Sequence, residues 1–236
     1  MPIYSRETLK THRLPWVLVE DFDFIVLGRH EDSAAVPRAS AGDHEEFWGH
    51  DQAAPLPTSK QFVPGHDRER LVVISGEVAA QSDQGRVTMR KRDWIDVPSG
   101  GVTVTNQAGT HAEIAWIAGT WDESVRTEIC LFKPGHPCDY HFHDGDEYWF
   151  VFRGHFTLTY NGADYAMRPG LMLAAGMGYE HGVPVPEELF QAVVFATGLE
   201  GAQRDGHLTR ELHGDPQSAR DVPLEALAAH RLGGGR

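Results

Sequence analysis

The hydrophobic residues of this chain fall into short runs separated by glycine, proline and small polar residues. EDFDFIVLG at 20–28, LVVISGE at 71–77, AEIAWIA at 112–118, RTEICLF at 126–132, WFVF at 149–152 and FQAVVFA at 190–196 are all of strand length. Runs of this size, rich in β-branched and aromatic residues and closed off by turn formers, predict β-strands joined by tight turns. EDFDFIVLG reads as a region of paired strands within an N-terminal arm. A helical period is weak and confined to the C-terminus, where Leu224, Leu227 and Leu232 follow Pro223 in rough helical spacing. The pattern predicts an all-β protein with a short C-terminal helix.

The pattern also repeats. A shift of 78 residues lays LVVISGE over WFVFRGH at 149–155 and AEIAWIA over FQAVVFA. The same shift lays Glu69 on Glu147, Gly76 on Gly154 and Gly100 on Gly178, without a gap. One offset through separate blocks identifies an internal duplication. The expected organisation is a first domain over 1–120, a second over 121–200 and a polar extension over 201–236 that packs across a barrel or a partner subunit. The Pro-containing stretch DQAAPLPTS at 51–59 is a linker loop. A length of 236 residues accommodates two β domains of about 100 residues each.

Composition mainly narrows the partners. Lys plus Arg number 21 against 34 Asp plus Glu, a formal charge of −13. An acidic chain with no Lys/Arg stripe argues against nucleic acid and anionic membranes as partners and leaves a small molecule. There is no apolar run of about 18 residues and no signal-peptide pattern, so the expected location is the cytoplasm. Aromatic outer faces and open sheet edges need cover, which points to a homodimer. Cys130 and Cys138 are not a CxxC pair and read as reduced thiols.

The chemistry concentrates in GHPCDYHFHDGDEYWFVFRG, between Gly135 and Gly154. His141 and His143 lie two apart, so on an extended strand both imidazoles project from one face. Glu147 follows across the turn at Gly145, and His181 comes after a glycine-rich approach. Three neutral imidazoles and a carboxylate suit a borderline divalent cation such as Fe, Mn, Ni, Cu or Zn. Strand parity places Trp149 and Val151 on the face of Glu147 and turns Tyr148, Phe150 and Phe152 to the other. The first copy has Val63, Gly65 and Thr103 where the second has its histidines, and retains only Glu69. His66 is one residue off register, which on a strand turns it to the opposite face. A metal is therefore expected in the second copy alone. HEEFWGHD at 44–51 spaces His44 and His50 for neither a helix face nor one turn, and reads as a solvated loop.

Written out, the spacing is Gly135, five residues, His141, one, His143, three, Glu147, six, Gly154, followed by Gly170, five, Gly176, one, Gly178, two, His181. This resembles the two motifs of the cupin superfamily, with Gly176 where the family usually has Pro and Val185 where it usually has Asn. The resemblance implies two tandem cupin barrels, each a double-stranded β-helix or jelly roll, with metal only in the C-terminal one. It implies His141, His143, Glu147 and His181 as ligands to one divalent transition metal per chain, Fe2+ being favoured over Mn2+, Ni2+, Zn2+ or Cu2+. Four protein ligands leave two positions of a six-coordinate ion for substrate, the openness that separates a catalytic from a structural site.

The activity so implied is that of a non-haem dioxygenase acting on a small carbonyl or enol substrate. A metal-dependent sugar or keto-acid isomerase or epimerase is the alternative, and a non-catalytic small-ligand-binding cupin the third reading. Tyr179, two residues before His181, and His136, ahead of the ligand strand, are the expected acid–base groups, since a proton-transfer residue must reach the substrate. Lys133, Tyr140, Asp144 and Asp146 flank the ligands on loops.

Overall fold

A computed structural model describes residues 3–5, 19–28, 57–106, 111–121, 125–197 and 204–213. The segment around His44 and the helical pattern over 221–232 lie outside these residues. The chain divides into a unit over Val19–Trp121 and a second that joins Met1–Leu18 to Asp122–Arg236.

The first unit is built from β2 (Val19–Leu27), β3 (Ser59–Phe62), β4 (Arg68–Ser75), β5 (Glu77–Ser82), β6 (Gly85–Arg90), β7 (Trp94–Asp96), β8 (Val102–Asn106) and β9 (Ala112–Gly119). They form two antiparallel sheets in the orders β2-β9-β4-β7 and β3-β8-β5-β6. Leu71, Val73 and Ile114 from one sheet meet Val78, Ala80 and Val104 from the other in a single buried core. Alternation along each strand is what puts one set of side chains into that layer.

The second unit repeats the plan. Its strands are β10 (Arg126–Phe132), β11 (Cys138–His141), β12 (Glu147–Arg153), β13 (Phe156–Tyr160), β14 (Ala163–Met167), β15 (Leu171–Ala175), β16 (His181–Val183) and β17 (Phe190–Ala196). The sheets run β15-β12-β17-β10 and β11-β16-β13-β14, and β1 (Ile3–Ser5) adds to the first beside β15. Strands β3 to β9 each have a counterpart about 78 residues on, from β11 to β17. The duplication is thus one of topology as well as sequence. Trp149, Val151, Leu173 and Val194 face Phe156, Leu158, Tyr160 and Val183 across the second core.

Glycine marks the repeat where the backbone demands it. Gly76 and Gly154 both have φ near +77°, and a Cβ on either would run into the strand that starts 36 residues later, at Ala112 and Phe190 respectively. An L-residue is strained at that φ, and here it would also clash.

One expectation changes, and the short helix near the C-terminus is present. EDFDFIVLG is not a strand pair but the single strand β2, matched along its length with β9. Its interior contains no Gly, Pro or Asn on which a hairpin could turn. The helix among the described residues is α1 (Arg210–His213), a single turn. Parity along β12 holds: Trp149 and Val151 enter the core, while Tyr148, Phe150 and Phe152 are buried on the other face. No helix among the described residues is long and apolar enough to cross a membrane.

Candidate metal centre

The register of β11 and β16 sets His141 directly opposite His181. That pairing depends on Gly182, where a Cβ would lie 2.7 Å from the Asp139 carbonyl oxygen and 2.9 Å from that of Cys138. Only glycine lets the two strands approach so closely. His143 follows β11 just before the bend at Asp144–Gly145, and Glu147 opens β12 beyond it. His141 and His181 are buried; His143 and Glu147 keep some access to solvent, at 17% and 12%.

All four side chains converge. The Nε2 atoms of His141 and His143 are 3.0 Å apart. Glu147 Oε2 lies 2.9 Å from His181 Nε2 and 3.5 Å from His143 Nε2. The four ligand atoms all fall within 4.8 Å of one another, the one such His/Cys/Asp/Glu group among the described residues.

The other ring nitrogens decide what this convergence means. His141 Nδ1 faces the Asp139 carbonyl at 2.5 Å, His143 Nδ1 faces that of Gly206 at 3.0 Å, and His181 Nδ1 faces that of Tyr179 at 3.2 Å. A carbonyl only accepts, so each Nδ1 carries the hydrogen and each Nε2 turns a lone pair toward the same point. Three lone pairs and a carboxylate aimed at one spot repel one another unless a proton shared with Glu147 or a metal cation stands there. Backbone carbonyls behind the ligand rings are also the usual outer partners of metal-bound histidine. The donor set therefore fits a divalent transition metal.

Electrostatics agrees. Burial, reinforced by the neighbouring His181, pushes His141 down to about 3, so that ring stays neutral. At His143 burial opposes the charged form, but the hydrogen bond and charge of Glu147 outweigh it and raise the value above 6.5. Burial likewise disfavours charge on Glu147, and the hydrogen bonds from His143 and His181 overcome it, holding the carboxyl well below the usual range. Burial first, then the charge of Glu147, pushes Cys138 up to about 12, so it stays a thiol and no thiolate ligand.

This has a measurable consequence. Without metal, protonated His143 stabilises the fold; that contribution is complete below about 6.5 and is lost as pH rises through its raised value. Metal needs the neutral ring, so proton and metal compete. The rise in Tm caused by metal should be largest on the alkaline side of that window and shrink as pH falls toward 6.5. Thermal melts of metal-loaded and chelator-stripped protein across the window check this; a pH-independent increment would contradict it.

The expected acid–base residues separate. Tyr179 lies in the barrel wall, its ring stacked on Tyr160 at 5.7 Å, and its carbonyl orients His181. His136 sits exposed on the turn after β10, its N–H donating to the Lys133 carbonyl at 3.2 Å. Of the flanking residues, the Tyr140 hydroxyl accepts from the Gly162 N–H, and Asp146 Oδ1 accepts from that of Met177. Asp144 is held below its ordinary value by hydrogen bonds from Arg204, despite burial.

What the spacing does not reveal is a strap over the centre. Phe142 and Leu208 exchange backbone hydrogen bonds at 2.9 and 3.0 Å. Arg204 Nε and Nη2 grip Asp144 at 2.9 and 3.1 Å, and Arg210 pairs with Glu180 at 2.6 Å. Between these anchors, the Gly206 carbonyl orients His143, and the His207 ring lies flat on His141, centroids 3.8 Å apart at 6°. His207 is separated from His141 by 66 residues of sequence. Its only signal was that it lies in a polar extension with nothing else to do. Beside the strap an open cleft reaches two ligands, His143 and Glu147, and is also lined by Arg126, Ala196 and Thr197. In the first unit Glu69 is buried without histidine ligands, and accepts from the Gly65 N–H at 2.6 Å and Trp116 Nε1 at 2.9 Å. His66 does face it, at 3.4 Å, because residues 63–67 form a bend rather than the strand on which the parity argument relied.

Comparison with known proteins points the same way. Residues 128–197 match the family described as the cupin domain. An uncharacterized protein of Sinorhizobium fredii, y4oW, is 26% identical over 181 residues, covering 70% of this chain and 81% of its own. AerE from Microcystis aeruginosa superposes with a TM-score of 0.50 at 11% identity, over 76% of this chain and 87% of that one. A salicylate 1,2-dioxygenase from Pseudaminobacter salicylatoxidans gives 0.42 at 12% identity, over 74% and 70%. At such identities the likeness is one of fold.

Proposed function

We propose, from the premise that the chain belongs to the cupin superfamily and carries its cupin domain over 128–197, that the second barrel is a metal-dependent oxidoreductase site. The reading is a non-haem dioxygenase acting on a small carbonyl or enol substrate, with His141, His143, Glu147 and His181 holding one divalent ion, iron in the favoured case. The observation that carries it is the convergence of three Nε2 lone pairs and one carboxylate beside a cleft that reaches two of the four.

A redox-active divalent metal would supply Lewis acidity toward a substrate oxygen and electrons toward dioxygen. The chain's own residues do the rest. The carbonyls of Asp139, Gly206 and Tyr179 fix the ligand rings. Trp149, standing edge-on to His181 at 5.8 Å, and the apolar core behind it exclude water from that side. Entry is left to the open cleft at His143 and Glu147.

Oxygen dependence tests the activity. Iron-reconstituted protein should consume dioxygen in proportion to turnover of one member of a panel of small enols and diketones, and should stop when oxygen is removed. Turnover that continues under anaerobic conditions would replace the dioxygenase by the isomerase reading.

A further inference from the structure

The cleft beside the ligands is not electrically neutral. Pairing across three adjacent strands sets Arg126 of β10 and Glu147 of β12 on either side of Ala196 in β17. Residues directly opposite in a sheet project from the same face. Arg126, Ala196 and Glu147 therefore form one row, and two strand spacings separate its ends by about 10 Å. Ala196 is a low floor between a guanidinium and a metal ligand. The cleft lies over this row.

The two cations on the cleft differ in what occupies them. Arg204 already spends two nitrogens on Asp144. Arg126 has one long contact, 3.6 Å to Asp205, between side chains 52% and 73% exposed. An exposed pair of that length contributes little and is readily exchanged. In a chain with a formal charge of −13, an arginine held in this position meets an anion that the rest of the surface would repel.

We propose that Arg126 is the specificity-determining residue of the site and that the substrate is a small carboxylic acid. Its carboxylate lies against Arg126, exchanging for Asp205, and its carbonyl, hydroxyl or second carboxyl oxygen turns toward the ligand cluster across Ala196. A planar carboxylate matches a single guanidinium fork. A phosphate group, with its higher charge, calls for more donors than the one arginine left available here. The short row, about 10 Å from Arg126 to Glu147 across Ala196, sets the size at a few carbons. The proposal rests on a metal being held at His141, His143, Glu147 and His181.

The test is calorimetric binding of glycolate, pyruvate, oxalate, malonate and acetoacetate, with neutral diacetyl as the control for pyruvate. Metal content is measured on every sample. At least one acid should bind metal-loaded protein more tightly than diacetyl. Arg126→Met should weaken that acid about tenfold or more, as loss of a charge-assisted pair does, while leaving metal content and diacetyl binding unchanged. Arg126→Lys should restore part of the loss, and Asp205→Asn should tighten binding by removing the competing carboxylate. Full metal content with no acid bound, or with an acid bound equally by Arg126→Met, overturns the substrate assignment and leaves the metal centre standing. Failure of the folded protein to hold any metal overturns both.

Discussion

His143→Ala is expected to empty the metal centre while leaving the barrel folded. His143 is the most accessible of the four ligands and lies between β11 and the bend at Asp144–Gly145, outside the core cluster, so its removal opens no cavity in the core. His141 and His181 are buried on paired strands, where truncation would disturb packing as well as ligation. Loss of an outer hydrogen-bond partner already costs roughly ten- to a hundredfold in metal affinity, and loss of a ligand should exceed that. Metal content should fall below about a tenth of wild type after dialysis, with an unchanged far-ultraviolet circular dichroism spectrum. Stoichiometric metal in a folded His143→Ala protein would remove His143 from the ligand set.

The second large effect lies in the barrel without a metal. Glu69 holds the position that Glu147 holds in the second copy, yet its carboxylate is consumed by Gly65, His66 and Trp116. A former ligand position has become a structural acceptor. Hydrogen bonds to a charged group contribute about 1.5–3 kcal/mol each, and donors with access to water recover part when the acceptor goes. Gly65 is exposed and Trp116 half-buried, so Glu69→Ala should cost about 2–4 kcal/mol. Glu69→Gln should cost less, since one oxygen remains. Both should leave metal content at the wild-type value. Thermal unfolding with metal analysis on the same samples checks this; an unchanged Tm, or a loss of metal, would contradict it.

Much of the architecture was legible because the chain states it twice. Strand alternation from LVVISGE to FQAVVFA and the common offset of Glu69 and Glu147, or Gly76 and Gly154, lead directly to paired sheets with repeated topology. Three of the metal-capable residues were legible for a similar reason: His141, His143 and Glu147 lie two strand positions apart and one turn away, a local spacing, while His181 was legible only through the second motif, 34 residues after Glu147. His207, Arg204 and Arg126 were not. They reach the centre through a strap and a neighbouring strand, by contacts between residues dozens of positions apart that leave no period in the sequence. His66 misled because the parity rule holds on a strand and the residue lies in a bend. Tyr179 was read as an acid–base group from its place beside His181; the contacts that spacing could not show are its carbonyl on that ring and its side chain stacked on Tyr160.

The most direct test is metal stoichiometry by inductively coupled plasma mass spectrometry, on wild-type protein purified without chelators and then reconstituted with each divalent ion in turn. The ligand geometry predicts one ion per chain, held by the second barrel, and none added by the first. Folded protein that retains no ion under any of these conditions, or that binds two, would contradict it.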